Sequence, residues 1–172
     1  MIKLIGCLFI ILSSSGLGYI LGGRFGKRVR EIKLLMASFQ MLENEIIYSS
    51  TPLPEAFESV SKKIGYPVNA LFKRTGDYLN QRLYTTAGDA FKKSLGDMED
   101  MLSIAREDME ILVNFGHTLG SSDTKSQEKN FKMLLSQLDI QEGKAHDAQN
   151  KNEKMYKNLG FLSGLAIAII FI

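Results

Sequence analysis

Two stretches without a charged side chain, residues 4–22 and 159–172, enclose every Asp, Glu, Lys and Arg of the chain except Lys3. Such runs limit the fold more than any other feature, because apolar segments must be covered by protein or by lipid. The first holds 19 residues. As a helix it extends about 28 Å, close to the ~30 Å hydrocarbon thickness of a bilayer. Arg24, Lys27, Arg28, Arg30 and Lys33 crowd its inner flank, which favours a retained anchor over a cleaved leader and holds that flank in the cytoplasm. The second run extends only about 21 Å, but started at Met155, with Lys157 reaching back to the headgroups, it attains about 27 Å. Lys151, Lys154 and Lys157 mark its cytoplasmic side. The sequence therefore predicts a hairpin: an N-terminal transmembrane helix over 1–23, a cytoplasmic helical domain over 24–157 and a C-terminal transmembrane helix over 158–172.

Small residues recur every four positions in both runs, as Ser14, Gly18, Gly22 and Gly26 and as Gly160, Gly164 and Ala168. Stripes of this kind let helix backbones approach closely, so Gly18, Gly22, Gly160 and Gly164 are the candidates for packing the membrane segments together. The general abundance of glycine in membrane helices gives the same residues a plainer origin.

The region between holds 20 basic and 19 acidic side chains, a balance that leaves no broad field for nucleic acid. Its three prolines, Pro52, Pro54 and Pro67, fall in one short window, and the stretches on either side read as helices. Ile32, Leu35, Met36, Phe39, Leu42 and Ile46 share one face of a helix over about 24–49. Thr51 before Pro52 reads as an N-cap with proline at the first helical position, opening a helix with Leu53, Ala56, Phe57, Val60 and Ile64 on one stripe and Gly65-Tyr66-Pro67 at its end. A third helix carries Val68, Leu71, Phe72, Tyr78 and Leu79. Thr86 with Asp89 resembles a capping arrangement for a fourth, with Ala90, Phe91 and Leu95, that either continues through Gly96 or breaks there. Met98, Met101, Leu102, Ala105, Met109, Leu112 and Val113 keep helical spacing up to Phe115-Gly116, with the methionines read as adaptable core filler. After a turn at Gly120-Ser121-Ser122-Asp123, a last helix capped by Asp123 carries Phe131, Leu134, Leu135 and Leu138; it could run unbroken into the second apolar segment, with Gly143 its weakest point. Without a strand signal, the fold class is all-α: a cytoplasmic helical bundle between two terminal membrane helices.

A search for chemistry finds little. Cys7 has no partner, and His117 and His146 have no second ligand at metal spacing. Gly26-Lys27 lacks the rest of a phosphate loop, since Leu21 stands where its first glycine would be and Arg28 where Ser or Thr would hold magnesium. Acidic pairs such as Glu43 with Glu45 and Glu107 with Asp108 read as solvated helix faces. The expectation is no enzyme, no cofactor and no metal.

Several local patterns resemble one family. They are Leu42-Glu43-Asn44-Glu45-Ile46 leading to Tyr48, Thr51-Pro52-Leu53-x-Glu55-Ala56, Phe115-Gly116-x-x-Leu119-Gly120-x-x-Asp123 with Gln127, and Lys154-Met155 followed by Leu159-Gly160-Phe161-Leu162-Ser163-Gly164-Leu165. In order and spacing they are similar to the stage III sporulation protein AB family of endospore-forming bacteria, over nearly the whole chain. One departure is Val29, where related sequences often carry proline, which puts any sharp bend at that point in doubt. The resemblance implies a non-catalytic subunit of the channel complex between mother cell and forespore, in the mother-cell membrane, similar to the platform protein of type II secretion and type IV pilus machines. It implies as partners the companion ATPase, stage III sporulation protein AA, and other channel subunits. Gly116, Leu119, Gly120, Asp123 and Gln127 are the candidate partner-binding residues, on a turn that the hairpin would project away from the membrane; Gly116 and Gly120 also suit positive dihedrals at helix ends and Asp123 an N-cap, which accounts for these three without a partner. A different class, a tethered sensor or adaptor binding a small ligand in the helical middle, is the alternative.

Overall fold

A computed structural model describes residues 2–120 and 123–171; the side chains of much of the 2–24 stretch, and of Phe161, Ala168, Ile170 and Phe171, lie outside the description. The described residues are helical, with no strand among them. Six helices follow in order: α1 Ile2–Glu43, α2 Leu53–Ser61, α3 Val68–Asn80, α4 Ala87–Met98, α5 Arg106–Gly116 and α6 Thr124–Phe171. A π-turn, Asn44–Tyr48, follows α1, and a 3₁₀ turn, Glu99–Met101, follows α4. The backbone divides into two compact units, one formed by Arg30–Glu142 and the other by Met1–Val29 with Gly143–Ile172.

The Arg30–Glu142 unit is organised by phenylalanine. Each helix contributes one: Phe39, Phe57, Phe72, Phe91, Phe115 and Phe131 are all buried. Phe39 is the hub, with ring centroids 5.2 Å from Phe115, 5.4 Å from Phe72 and 6.0 Å from Phe91. Phe57 joins through Phe72 at 5.4 Å, and Phe131 through Phe115 at 5.0 Å. Tilted and edge-on aromatic pairs of this kind stabilise by about 0.5–1.5 kcal/mol beyond their buried area. Buried Ser38, Thr75 and Ser94 do not disturb this core, because each hydroxyl donates to the carbonyl four residues earlier, on Leu34, Leu71 and Ala90.

The helix ends depart from the sequence reading in four places. α-Helical bonding stops at Glu43, and the next turn widens: Ser49 N–H donates to Asn44 O at 3.1 Å, and Thr51 N–H to Glu45 O at 2.9 Å. Thr51 is therefore not the cap of α2. Pro52 holds that position with extended backbone, φ −55 and ψ 142, and Pro54 sits in the first turn, where its missing N–H costs nothing. Next, α2 ends at Ser61, ahead of Gly65, and the Tyr66–Pro67 peptide is cis. The largest correction lies after Met98. α4 does pass through Gly96, but the helical spacing from Met98 to Val113 hides an extended break at Leu102 (ψ 134) to Ala105 (ψ 165). Two buried carboxylates take up the amides that a continuous helix would have satisfied: Ser103 N–H donates to Glu31 Oε2 at 2.5 Å, and Ala105 N–H to Asp108 Oδ2 at 2.8 Å. Asp108 is fully buried, not a solvated residue. Met98 fills core, whereas Met101 and Met133 are each 53% exposed.

Other expectations match the structure. Thr86 caps α4, accepting from Asp89 N–H at 3.1 Å and donating to Asp89 Oδ2 at 2.7 Å. A feature not foreseen follows α3: two residues past its end, Arg82 takes the left-handed region (φ 51) and Leu83 N–H bonds back to Tyr78 O at 3.3 Å, an end geometry that glycine usually supplies. α1 continues past Val29 without a break, and α6 passes through Gly143.

The second unit pairs the first part of α1 with the last part of α6. Ser14 Oγ donates to Gly160 O and lies 3.4 Å from Ser163 Oγ, and Gly164 is buried. Phe25 stacks on Tyr156 at 5.8 Å, Gln149 fills the space beside Gly26, and Lys157 Nζ stands 4.9 Å above the Tyr19 ring.

Candidate functional site

The turn joining α5 to α6 holds the five partner-binding candidates, and the structure gives each a different environment. α5 tightens at its end, with Thr118 N–H donating to Phe115 O at 2.9 Å and Leu119 N–H to Gly116 O at 3.1 Å. Gly116 stays helical, contrary to the expectation of a positive dihedral. Its constraint is steric: a Cβ there would meet the Phe91 ring at 3.0 Å. Gly120 does adopt φ +72, and a Cβ there would meet the Leu53 side chain at 3.1 Å and Ala87 at 3.5 Å, so the turn lies against the starts of α2 and α4. Leu119 is buried. Asp123 is exposed and opens α6 as its cap, accepting from Ser126 N–H at 3.3 Å through Oδ1 and from Gln127 N–H at 2.9 Å through its carbonyl. Gln127 is half-buried in a shallow cleft with Leu119 and Phe131. Ser121 and Ser122 lie outside the described residues. Thus Gly116 and Leu119 are buried at the end of α5, while Gly120 and Asp123 are at the surface.

Two polar clusters escaped the sequence reading. Glu45 lies on the π-turn and accepts from Ser59 Oγ at 2.7 Å, Thr51 Oγ1 at 3.0 Å and Lys63 Nζ at 3.3 Å. The Ser59 and Thr51 hydroxyls, then Lys63, hold its carboxyl below the ordinary glutamate range. Its partners are 6, 14 and 18 residues away, so no periodicity signals them. Burial pushes its neighbour Glu43 the other way. The second cluster surrounds Asp97, which accepts from Lys93 Nζ and, at 2.6 Å, from the Tyr78 hydroxyl, with Arg74 Nη1 3.7 Å away. Lys93 and then Tyr78 hold Asp97 low, and the bond to Asp97 pushes the Tyr78 hydroxyl up. His117 and His146 are exposed, and among the described residues no group of three His, Cys, Asp or Glu could hold a metal ion.

Of the packing candidates in the other unit, Gly160 accepts the Ser14 hydroxyl and Gly164 is buried. Gly18 and Gly22 lie outside the residues described at side-chain level. Among the described residues no helix is long and apolar enough to cross a membrane; several residues of the 4–22 run fall outside that set.

Fold and clusters together define a protein that is all-helical over its described residues, with polar clusters that tie the π-turn to α2 and α3 to α4. Its kinship is specific. The chain belongs to the stage III sporulation protein AB family, whose model matches residues 3–172. Stage III sporulation protein AB of Bacillus subtilis (strain 168) is 39% identical over 170 residues, covering 99% of this chain and 99% of that protein. A solved structure of stage III sporulation protein AB matches with a TM-score of 0.69 at 38% identity, covering 73% of this chain and 98% of that one.

Proposed function

We propose that this chain is a non-catalytic membrane subunit of a sporulation channel, a secretion-like complex between mother cell and forespore, and that its helical middle couples a cytoplasmic ATPase of the stage III sporulation protein AA kind to the membrane assembly. The observation that carries the reading is kinship over the whole length with a sporulation protein, including both apolar ends. Those ends anchor the chain as transmembrane helices in the mother-cell membrane, and the basic flanks hold the Arg30–Glu142 unit in the cytoplasm. A rigid, aromatic-cored bundle suits a coupling part, since it passes force or position from a motor without local yielding.

Affinity purification of the full chain from sporulating cells tests the coupling. The companion ATPase and other channel subunits should co-purify. Recovery of the chain with a small bound molecule and without the ATPase would favour a tethered sensor instead.

A further inference from the structure

Beside α5 runs an open groove of about 680 Å³ that the core does not fill. Its apolar lining is Ile104, Ala105, Met109 and Val113; the last three follow at four-residue spacing from the cap of α5 onward, while Asp108, Leu112 and Phe115 are buried. A row at that spacing is what a second helix packs against. The rim is acidic. Residues 97–110 include six acidic side chains and one basic one, Arg106, which reaches Glu110 at 3.2 Å. Asp97 is turned to Lys93 and Tyr78, and Asp108 is buried, which leaves Glu99 and Glu110 exposed on the groove itself. Met101, exposed just before the break at 102–105, and Met109 add adaptable apolar surface of the kind that accepts varied helical partners.

Charge selects the occupant. An acidic rim repels anionic lipid and nucleic acid, and a symmetric pairing of two copies would set the same acids against each other. We propose that this groove docks a basic amphipathic helix of a protein partner, its apolar face on Met109 and Val113 and its lysines or arginines against Glu99 and Glu110. The proposal rests on the chain being an assembly subunit, but not on the ATPase being the partner.

The test places a photoreactive benzophenone side chain at Val113, and at Asp77 as a control outside the groove, in the full chain in sporulating cells; cross-linked peptides are then sequenced by mass spectrometry. The Val113 probe should capture a Lys/Arg-rich segment with apolar residues at helical spacing, and the Asp77 probe should not. Glu99→Lys with Glu110→Lys should lower that product by about tenfold, with unchanged helical circular dichroism and thermal midpoint. Capture of a second copy, of lipid, or of a neutral or acidic segment overturns the proposal, as does absence of a product or its indifference to charge reversal. The peptide's identity stands even if the double variant folds poorly. A basic helix from a protein other than the ATPase upholds the groove, while failure of the ATPase to co-purify counts separately against the coupling.

Discussion

A Cβ on Gly88 would stand 2.4 Å from the carbonyl oxygen of Gly116, closer than real Cβ contacts come. The start of α4 is thus pressed against the end of α5 backbone to backbone, and the Gly116 motif belongs to that joint. Gly88→Ala forces the two helices apart, and overpacking of this kind costs about 1–3 kcal/mol. Denaturant unfolding of the full chain should show that loss as a lower midpoint at unchanged slope. A loss under about 0.5 kcal/mol, the level of an ordinary surface change, would mean that the joint is not tight.

Glu45 gives the bundle an acid-sensitive clasp. Its folded-state pKa lies below the ordinary 4.5, so its contribution is fully present above that value and is lost as pH falls through the lower folded value. Glu45→Gln has no such titration. The stability gap between the two proteins, read from thermal midpoints, should be widest near pH 7 and shrink below pH 4.5. A gap constant down to pH 3 would remove the clasp from the account.

Asp123 separates a fold role from a binding role. Asp123→Ala should lose about 0.5–2 kcal/mol through the missing cap, whatever binds there, whereas Asp123→Ser keeps an acceptor for the Ser126 N–H and should fold almost unchanged. If Asp123→Ser binds the ATPase as well as the parent does, the residue is a cap alone. Weaker binding by a stable Asp123→Ser assigns its carboxylate to the partner.

Much of the core was legible because each helix kept its apolar spacing within a single stretch. Phe39, Phe57, Phe72, Phe91, Phe115 and Phe131 each lie on or beside an apolar stripe, and their gathering into one cluster follows from burying all the stripes together. The break at 102–105 was illegible for the opposite reason. Local spacing stays helical there, and one carboxylate that takes up its amides is Glu31, 72 residues upstream. The same holds for Glu45, whose partners lie beyond any helical repeat, and for Gly116, whose steric duty depends on Phe91 arriving from α4. In the candidate turn only the positive dihedral of Gly120 and the cap at Asp123 could be read from residue type.

The account stands on the helical middle sharing a compartment with the ATPase, and cysteine labelling in intact cells measures this directly. With Cys7 replaced by Ser and the chain produced in cells that have not engulfed a forespore, a cysteine at Lys125 should resist a membrane-impermeant maleimide until the cells are opened, and a cysteine at Lys3 should react from outside at once. Labelling at Lys125 in intact cells, with Lys3 protected, would invert the hairpin and contradict the proposed coupling.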